Sequence, residues 1–340
     1  MVRRIAVTLA VLLVALVLII NPWFQGVLKD LFLSPFQESY PEEVEYTLQR
    51  TIVVDANGGK ILNYTVDLPV PESMEGRQEV IEVETNVQSS TESRYDRPWM
   101  VFEGEDLQGE ERSIIEVTYR VRTTAHVWDM DRDSVGDLQD IPESLRETYV
   151  GEEWKMQSEH PDIVSRAESI AGNETDVYGI LHSIYRWVTE NIDYPSTASS
   201  SLPKDSVETL SSGEGDCDEQ AILFCALARS LGVPAWMQLG LLYDPVIGSW
   251  GGHGWVQVYL PLEGEGGVEA TIDTVNEDFL VWGPNRLADY TDDGNGDHLK
   301  DYYYIFHYSY DEHTYPGESE PQFSQDFEVL EYEESGRVVI

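Results

Sequence analysis

The chain has 340 residues, with 63 acidic against 21 basic side chains, a formal net charge of −42 and a pI near 4.2. That length gives room for about two domains with buried cores, and a surface of that sign excludes nucleic-acid binding through a basic face. A 41% hydrophobic and 11% aromatic content is too high for a disordered acidic chain.

Arg3 and Arg4 precede residues 5–20, in which only Thr8 is polar. As a helix those residues rise about 24 Å, and Val2 with the interfacial Trp23 and Phe24 extends the span towards the roughly 30 Å of a bilayer core. Residues 21–25 read Asn-Pro-Trp-Phe-Gln, which is no small-x-small cleavage site, so the reading is an uncleaved transmembrane anchor and not a signal peptide. The basic flank places the N-terminus inside and the rest of the chain outside. The sequons at Asn63 and Asn173 agree with that side of a membrane, and Asn173 follows the helix stop Ala171-Gly172, on an expected exposed turn. The acid excess points to adaptation to concentrated salt, which would screen the self-repulsion.

Residues 36–125 form the next unit. Apolar and polar residues alternate over 46–54, 61–66, 79–87 and 113–123, with Ala56-Asn57-Gly58-Gly59 as a turn, which predicts an all-β sandwich of immunoglobulin-like size. It shows no chemistry and reads as a spacer or recognition module. The connecting residues 126–160 place Asp129, Asp131, Asp133 and Asp137 at spacings reminiscent of a calcium loop. Ser134 stands where such a loop needs glycine, and the twelfth position lacks Glu, so an acidic linker is preferred and calcium is kept only as a weak alternative to no cofactor at all.

Residues 161–290 carry the helices and the chemistry. Ile163, Ala167 and Ile170 make one apolar stripe, and Ile180, Ile184, Trp187 and Val188 another. Gly213-Glu214-Gly215-Asp216-Cys217 then opens an almost wholly apolar helix that stops at Gly232 with Pro234 beyond. Cys217 is expected at the N-terminal end of that buried helix, where unpaired N–H groups and the dipole favour thiolate. Cys225 lies two turns further in, about 12 Å along the axis, too far to pair with Cys217, and reads as a packing residue.

Downstream, residues 251–260 alternate so that His253, Trp255, Gln257 and Tyr259 share a face, and residues 268–275 do the same for Glu269, Thr271 and Asp273. A hairpin centred on residue 263 would set His253 directly opposite Asp273, where a carboxylate fixes an imidazole's tautomer and orientation. Thiol at a helix start, base and orienter are together what an activated nucleophile requires.

These segments resemble the transglutaminase-like superfamily of papain-type cysteine enzymes. The resemblance rests on Gly215-Asp216-Cys217 with Gln220-Ala221, on residues 229–235 (Arg-Ser-Leu-Gly-Val-Pro-Ala), on residues 253–259 (His-Gly-Trp-Val-Gln-Val-Tyr), on Thr271-Ile272-Asp273, and on Trp187-Val188 with residues 191–194 upstream. It implies Cys217 as nucleophile, His253 as base and then acid, and Asp273 as orienter. One departure is Val268-Glu269-Ala270, where the family often has Trp.

Residues 291–340 read as an acidic, aromatic β extension, strand-like over 302–308. Asp289, Asp292, Asp293, Asn295, Asp297 and Asp301 read as turn formers rather than cation ligands, and His298, His307 and His313 lack metal-ligand spacing. The expected fold class is therefore α+β: a papain- or transglutaminase-like core, its central helix packed on an antiparallel sheet, preceded by the sandwich and an N-terminal transmembrane helix. The expected function is a membrane-anchored extracellular cysteine enzyme acting on amide bonds of protein or peptide substrates, cell-surface proteins among them, with hydrolysis favoured over cross-linking. The alternative is a non-catalytic cell-surface domain that holds peptide or glycan in the same cleft.

Overall fold

A computed structural model describes residues 39–195, 202–244, 248–262, 264, 266–315 and 320–339. The expected anchor at residues 5–20 lies outside them, and among the described residues no helix is long and apolar enough to cross a membrane.

The chain first builds six antiparallel strands: β1 (Glu43–Asp55), β2 (Lys60–Pro69), β3 (Gln78–Thr85), β4 (Ser90–Arg94), β5 (Arg97–Gln108) and β6 (Arg112–Thr124). In β1 every second side chain is buried over thirteen residues, the period-two pattern of a strand with one face on a core. The expected turn is present, with Asn57 at φ 49° and Gly58 at φ 86°, the left-handed conformations a tight hairpin demands. β4 and β5 were not legible as strands, because β5 contains Pro98, Gly104 and the charged run Glu103, Glu105 and Asp106.

Two C-terminal strands complete this unit. Phe306–Tyr310 pairs with β2, and Gln322–Ser335 pairs with β1 along its whole length, giving two four-stranded sheets over one apolar core of Tyr46, Leu48, Val66, Phe102 and Val117 among others. The C-terminal residues are thus edge strands of the same sheets that the N-terminal residues begin. Tyr302 and Tyr303, expected as strand, instead end a helix.

Between these strands lies the helical and mixed part. Helices α1 (Pro161–Ala171), α2 (Val177–Asn191), α3 (Ser206–Ser212) and α4 (Cys217–Ser230) precede an antiparallel five-stranded sheet. Its strands are β7 (Ala235–Asp244), β8 (Ser249–Pro261), β9 (Gly267–Asp273), β10 (Asp278–Phe279) and β11 (Arg286–Thr291), in the order β10-β9-β8-β7-β11. α4 is apolar all round because it is covered on all sides, by α1, α2 and α3 and by β7 and β8. Asn173 sits exposed on the turn between α1 and α2, as its sequence position predicts.

The sandwich and the five-stranded sheet are packed together. Leu241, Trp250 and Leu287 enter the sandwich core, and the Gln78 side chain bonds both the N–H and the C=O of Ala288 at 2.9 Å, standing in for a strand neighbour. Close approach of β7 and β11 requires Gly240, where a Cβ would overlap the Leu287 carbonyl oxygen.

Candidate active site

Asp216 caps α4. Its carboxylate accepts the Glu219 N–H at 3.2 Å and that of Asp218, while the Glu219 side chain reaches back to the Asp216 N–H at 3.1 Å. Among the described residues the Cys217 N–H, at the first helical position, has no acceptor and stands as a first-turn donor beside its own half-buried side chain. Gln220 braces the approach to the helix, donating to the Gly215 carbonyl at 3.0 Å. Both cysteines are free thiols, and Cys225 is fully buried.

Across from this helix end, β8 and β9 carry the other two expected residues. Their register pairs Val256 with Ile272 and Pro261 with Gly267, so the hairpin centres on residue 264 and not 263. His253 is therefore diagonal to Asp273 instead of directly opposite. The slip shifts the pairing by two residues, an even number that keeps both side chains on one face. His253 Nε2 and Asp273 Oδ2 are 2.7 Å apart, both nearly fully buried. With Asp273 ionised, the imidazole proton resides on Nε2, and Nδ1 is left with the lone pair that a base needs.

Two residues that sequence reasoning missed complete this arrangement. The Asn276 N–H donates to Asp273 Oδ1 at 3.2 Å, and its side-chain amide donates to Oδ2 at 2.8 Å, closing the turn between β9 and β10. Asn276 Nδ2 also lies 3.1 Å from His253 Nε2, a contact between two donors that carries no bond in this tautomer. Arg286, from β11, lies 3.3 Å from Asp273 and 2.8 Å from Asp278, with Trp255 and Trp282 against its guanidinium. Burial pushes the Asp273 carboxyl up, but His253, Arg286 and Asn276 outweigh it and hold the group well below the usual carboxylate range. Asp273-Thr-Val-Asn276 is a legible Asx-turn pattern, whereas nothing local marks Arg286.

The thiol differs from expectation. Burial, followed by the charge of Asp218, pushes Cys217 well above the ordinary thiol range, against the helix end and the Gly254 N–H that donates to its sulfur. That N–H belongs to the residue after His253, so the sulfur lies against the strand that carries the imidazole, and among the described residues no hydrogen bond joins Sγ to His253. Trp255 and Gln257 both donate to Gln238, and Gln257 donates to Thr271, so the rest of the shared face is a satisfied polar row.

Among the described residues no group of three or more His, Cys, Asp or Glu side chains is placed to hold an ion. In the connecting segment Arg132 pairs with Glu174 and Asp176, and Asp140 turns back onto the Asp137 N–H at 2.9 Å.

Residues 164–267 match the transglutaminase-like superfamily model. No curated protein matches the chain by sequence. Among solved structures, a Cytophaga hutchinsonii protein provisionally described as a cysteine protease superposes with a TM-score of 0.62 at 15% identity, over 86% of this chain and 93% of that one. The periplasmic domain of TgpA from Pseudomonas aeruginosa gives a TM-score of 0.34 at 13% identity, over 70% of this chain and 88% of that one. The matched residues run from α1 through the site helix and β8 to the first residue of β9, and the chain therefore carries a transglutaminase-like superfamily domain within a fold shared with the Cytophaga protein.

Proposed function

We propose that the protein is a cysteine enzyme of acyl transfer from amides, with Cys217 as nucleophile, His253 as base and then acid, and Asp273 as orienter. The observation that carries this reading is a thiol at a helix start that accepts the N–H of Gly254, the residue after an imidazole whose tautomer a buried carboxylate fixes. The thiol proton passes to His253 Nδ1 as sulfur bonds to the carbonyl carbon, and the Cys217 N–H faces the developing oxyanion. Collapse breaks the C–N bond, the amine leaves with the proton from His253, and a thioester remains on Cys217. Water, activated by His253, releases the acid and restores the thiol. Hydrolysis is the proposed outcome because water is abundant, while an amine acceptor in place of water would give cross-linking by the same steps.

The same proposal places the site outside a membrane, tethered by residues 5–20, where protein or peptide substrates at the cell surface would reach it. A buried, carboxylate-flanked thiol is the one observation that favours the rival, a binding cleft without turnover. Mass analysis of the full chain after exposure to a panel of peptide amides and esters separates the two. An acyl adduct on Cys217, absent from a folded Cys217→Ala protein, supports the enzyme. Full turnover in Cys217→Ala, or saturable binding with no adduct and no product, overturns it.

A further inference from the structure

Asp218 follows the nucleophile and has no part in the triad, yet it touches the sulfur, the Tyr303 hydroxyl and Gly254. Its Oδ1 lies 3.6 Å from Cys217 Sγ as acceptor of the S–H, and its Oδ2 accepts from the Tyr303 hydroxyl at 3.0 Å. The carboxylate also packs against Gly254, where a Cβ would overlap Oδ1 and crowd Leu239 Cδ2. Tyr303 comes from the C-terminal helix α5 (Gly296–Tyr303), beyond the residues that match the superfamily model.

A charged residue in the first turn of a helix ordinarily complements the dipole from the solvent side. Asp218 instead turns towards the sulfur, and its hydrogen bonds are spent on Cys217 and Tyr303. We propose that Asp218, clamped by Tyr303, is a positioning residue that holds the resting Cys217 as a thiol turned away from His253. The proposal rests on the reading of Cys217 as nucleophile. For attack, the Sγ–Oδ1 contact breaks and the S–H proton moves to His253 Nδ1. Asp218 neither gains nor loses a proton in that step.

The groups that face the sulfur explain the direction of the effect. Asp216 from the helix cap, Asp218 itself and Asp273 from β9 all oppose a negative sulfur, and Tyr194 and Tyr303 add no positive charge. His253 from β8, the residue before the Gly254 whose N–H meets the sulfur, is the neighbouring side chain that can carry a compensating proton. Removing the Asp218 charge therefore releases the thiol, provided the carboxylate is what restrains it.

The test is the rate of iodoacetamide alkylation at Cys217, followed from pH 5 to pH 10 on the full chain and resolved from Cys225 by peptide mass. Asp218→Asn and Asp218→Ala are expected to raise the rate at pH 7 about tenfold and to lower the profile's midpoint by about one pH unit, the two expressions of one tenfold change in thiolate. Melting curves establish that each variant is folded. Unchanged or slower alkylation in both folded variants overturns the proposal. His253→Ala separates it from the triad reading: if that variant leaves the profile unmoved while Asp218→Asn shifts it, the restraint by Asp218 stands and the triad fails. If His253→Ala slows alkylation and neither Asp218 variant moves it, the triad survives and the role of Asp218 falls.

Discussion

Arg286 and Arg229 are both about 1% exposed, and each lies between two carboxylates. Arg229, at the far end of α4 from Cys217, meets Glu153 at 2.6 Å and Asp292 at 3.5 Å, and donates to the carbonyls of Ala235 and Gly151. Its donors are spent tying a loop, a helix and two strand ends together. Arg286 sits instead against the rings of Trp255 and Trp282, 5.3 and 5.7 Å from their centroids, and its Nε and Nη1 have no hydrogen-bond partner among the described residues. Aromatic faces hold a guanidinium without taking its donors. Its charge is therefore left to act on Asp273 and Asp278, so one arginine fastens the scaffold while the other sustains the anion behind the proposed base.

The largest effect that would sharpen this contrast comes from Asp273→Asn, which keeps the shape but removes the acceptor that fixes the His253 tautomer. Turnover is expected to fall roughly 10³–10⁴-fold with little change in melting temperature. Arg229→Met comes next, on stability. Losing the cation between Glu153 and Asp292 is expected to cost about 3–5 kcal/mol in denaturant titration, while alkylation of Cys217 per folded molecule stays as it was. Arg286→Met should do the opposite, lowering turnover about tenfold, or about 1.4 kcal/mol of transition-state stabilisation, and Arg286→Lys should recover part of that loss. A turnover defect in Arg229→Met as large as that in Arg286→Met would break the distinction.

How much of this was legible in the sequence follows from the range of each interaction. The alternation in β1 and the stripes of α1 and α2 are local patterns, and they appear where the periodicity places them. His253 and Asp273 were legible on one face because a strand's period is two and survives an even slip. Their exact register was not, because the loop between them, not the strand pattern, sets it. Arg286 and Tyr303 carry no local signal of their partners, and the C-terminal residues, legible as β, gave no sign of the strands they would pair with. Each reaches its partner across 13 or more positions, as with Arg286 and Asp273, or across 85, as with Tyr303 and Asp218, and only the packed chain brings them together.

The smallest predicted effect tests the junction that keeps the sandwich against the site sheet. Asp289 is buried there, 3.6 Å from Arg50 of β1 and accepting from the Tyr302 hydroxyl at 2.8 Å. Burial, opposed by Arg50, pushes its carboxyl up to about 6, and burial does the same for Asp278 and Asp218. In the unfolded chain such groups titrate near 3.9. Between about pH 4 and pH 6 the native state thus binds protons that the unfolded state releases, so stability falls as pH rises through that window. Asp273 acts in the other direction, and its contribution fades only in stronger acid, below the ordinary carboxylate range. Calorimetry in about 1 M salt, where the screening length is about 3 Å and net-charge repulsion is suppressed, should show a higher melting temperature at pH 5 than at pH 7. Asp289→Asn removes one of the raised groups and should flatten that difference by about 2 °C, equivalent to about 1 kcal/mol. An unchanged slope in the variant would mean that Arg50 keeps Asp289 ionised, and that the junction is an ordinary ion pair with no proton linked to it.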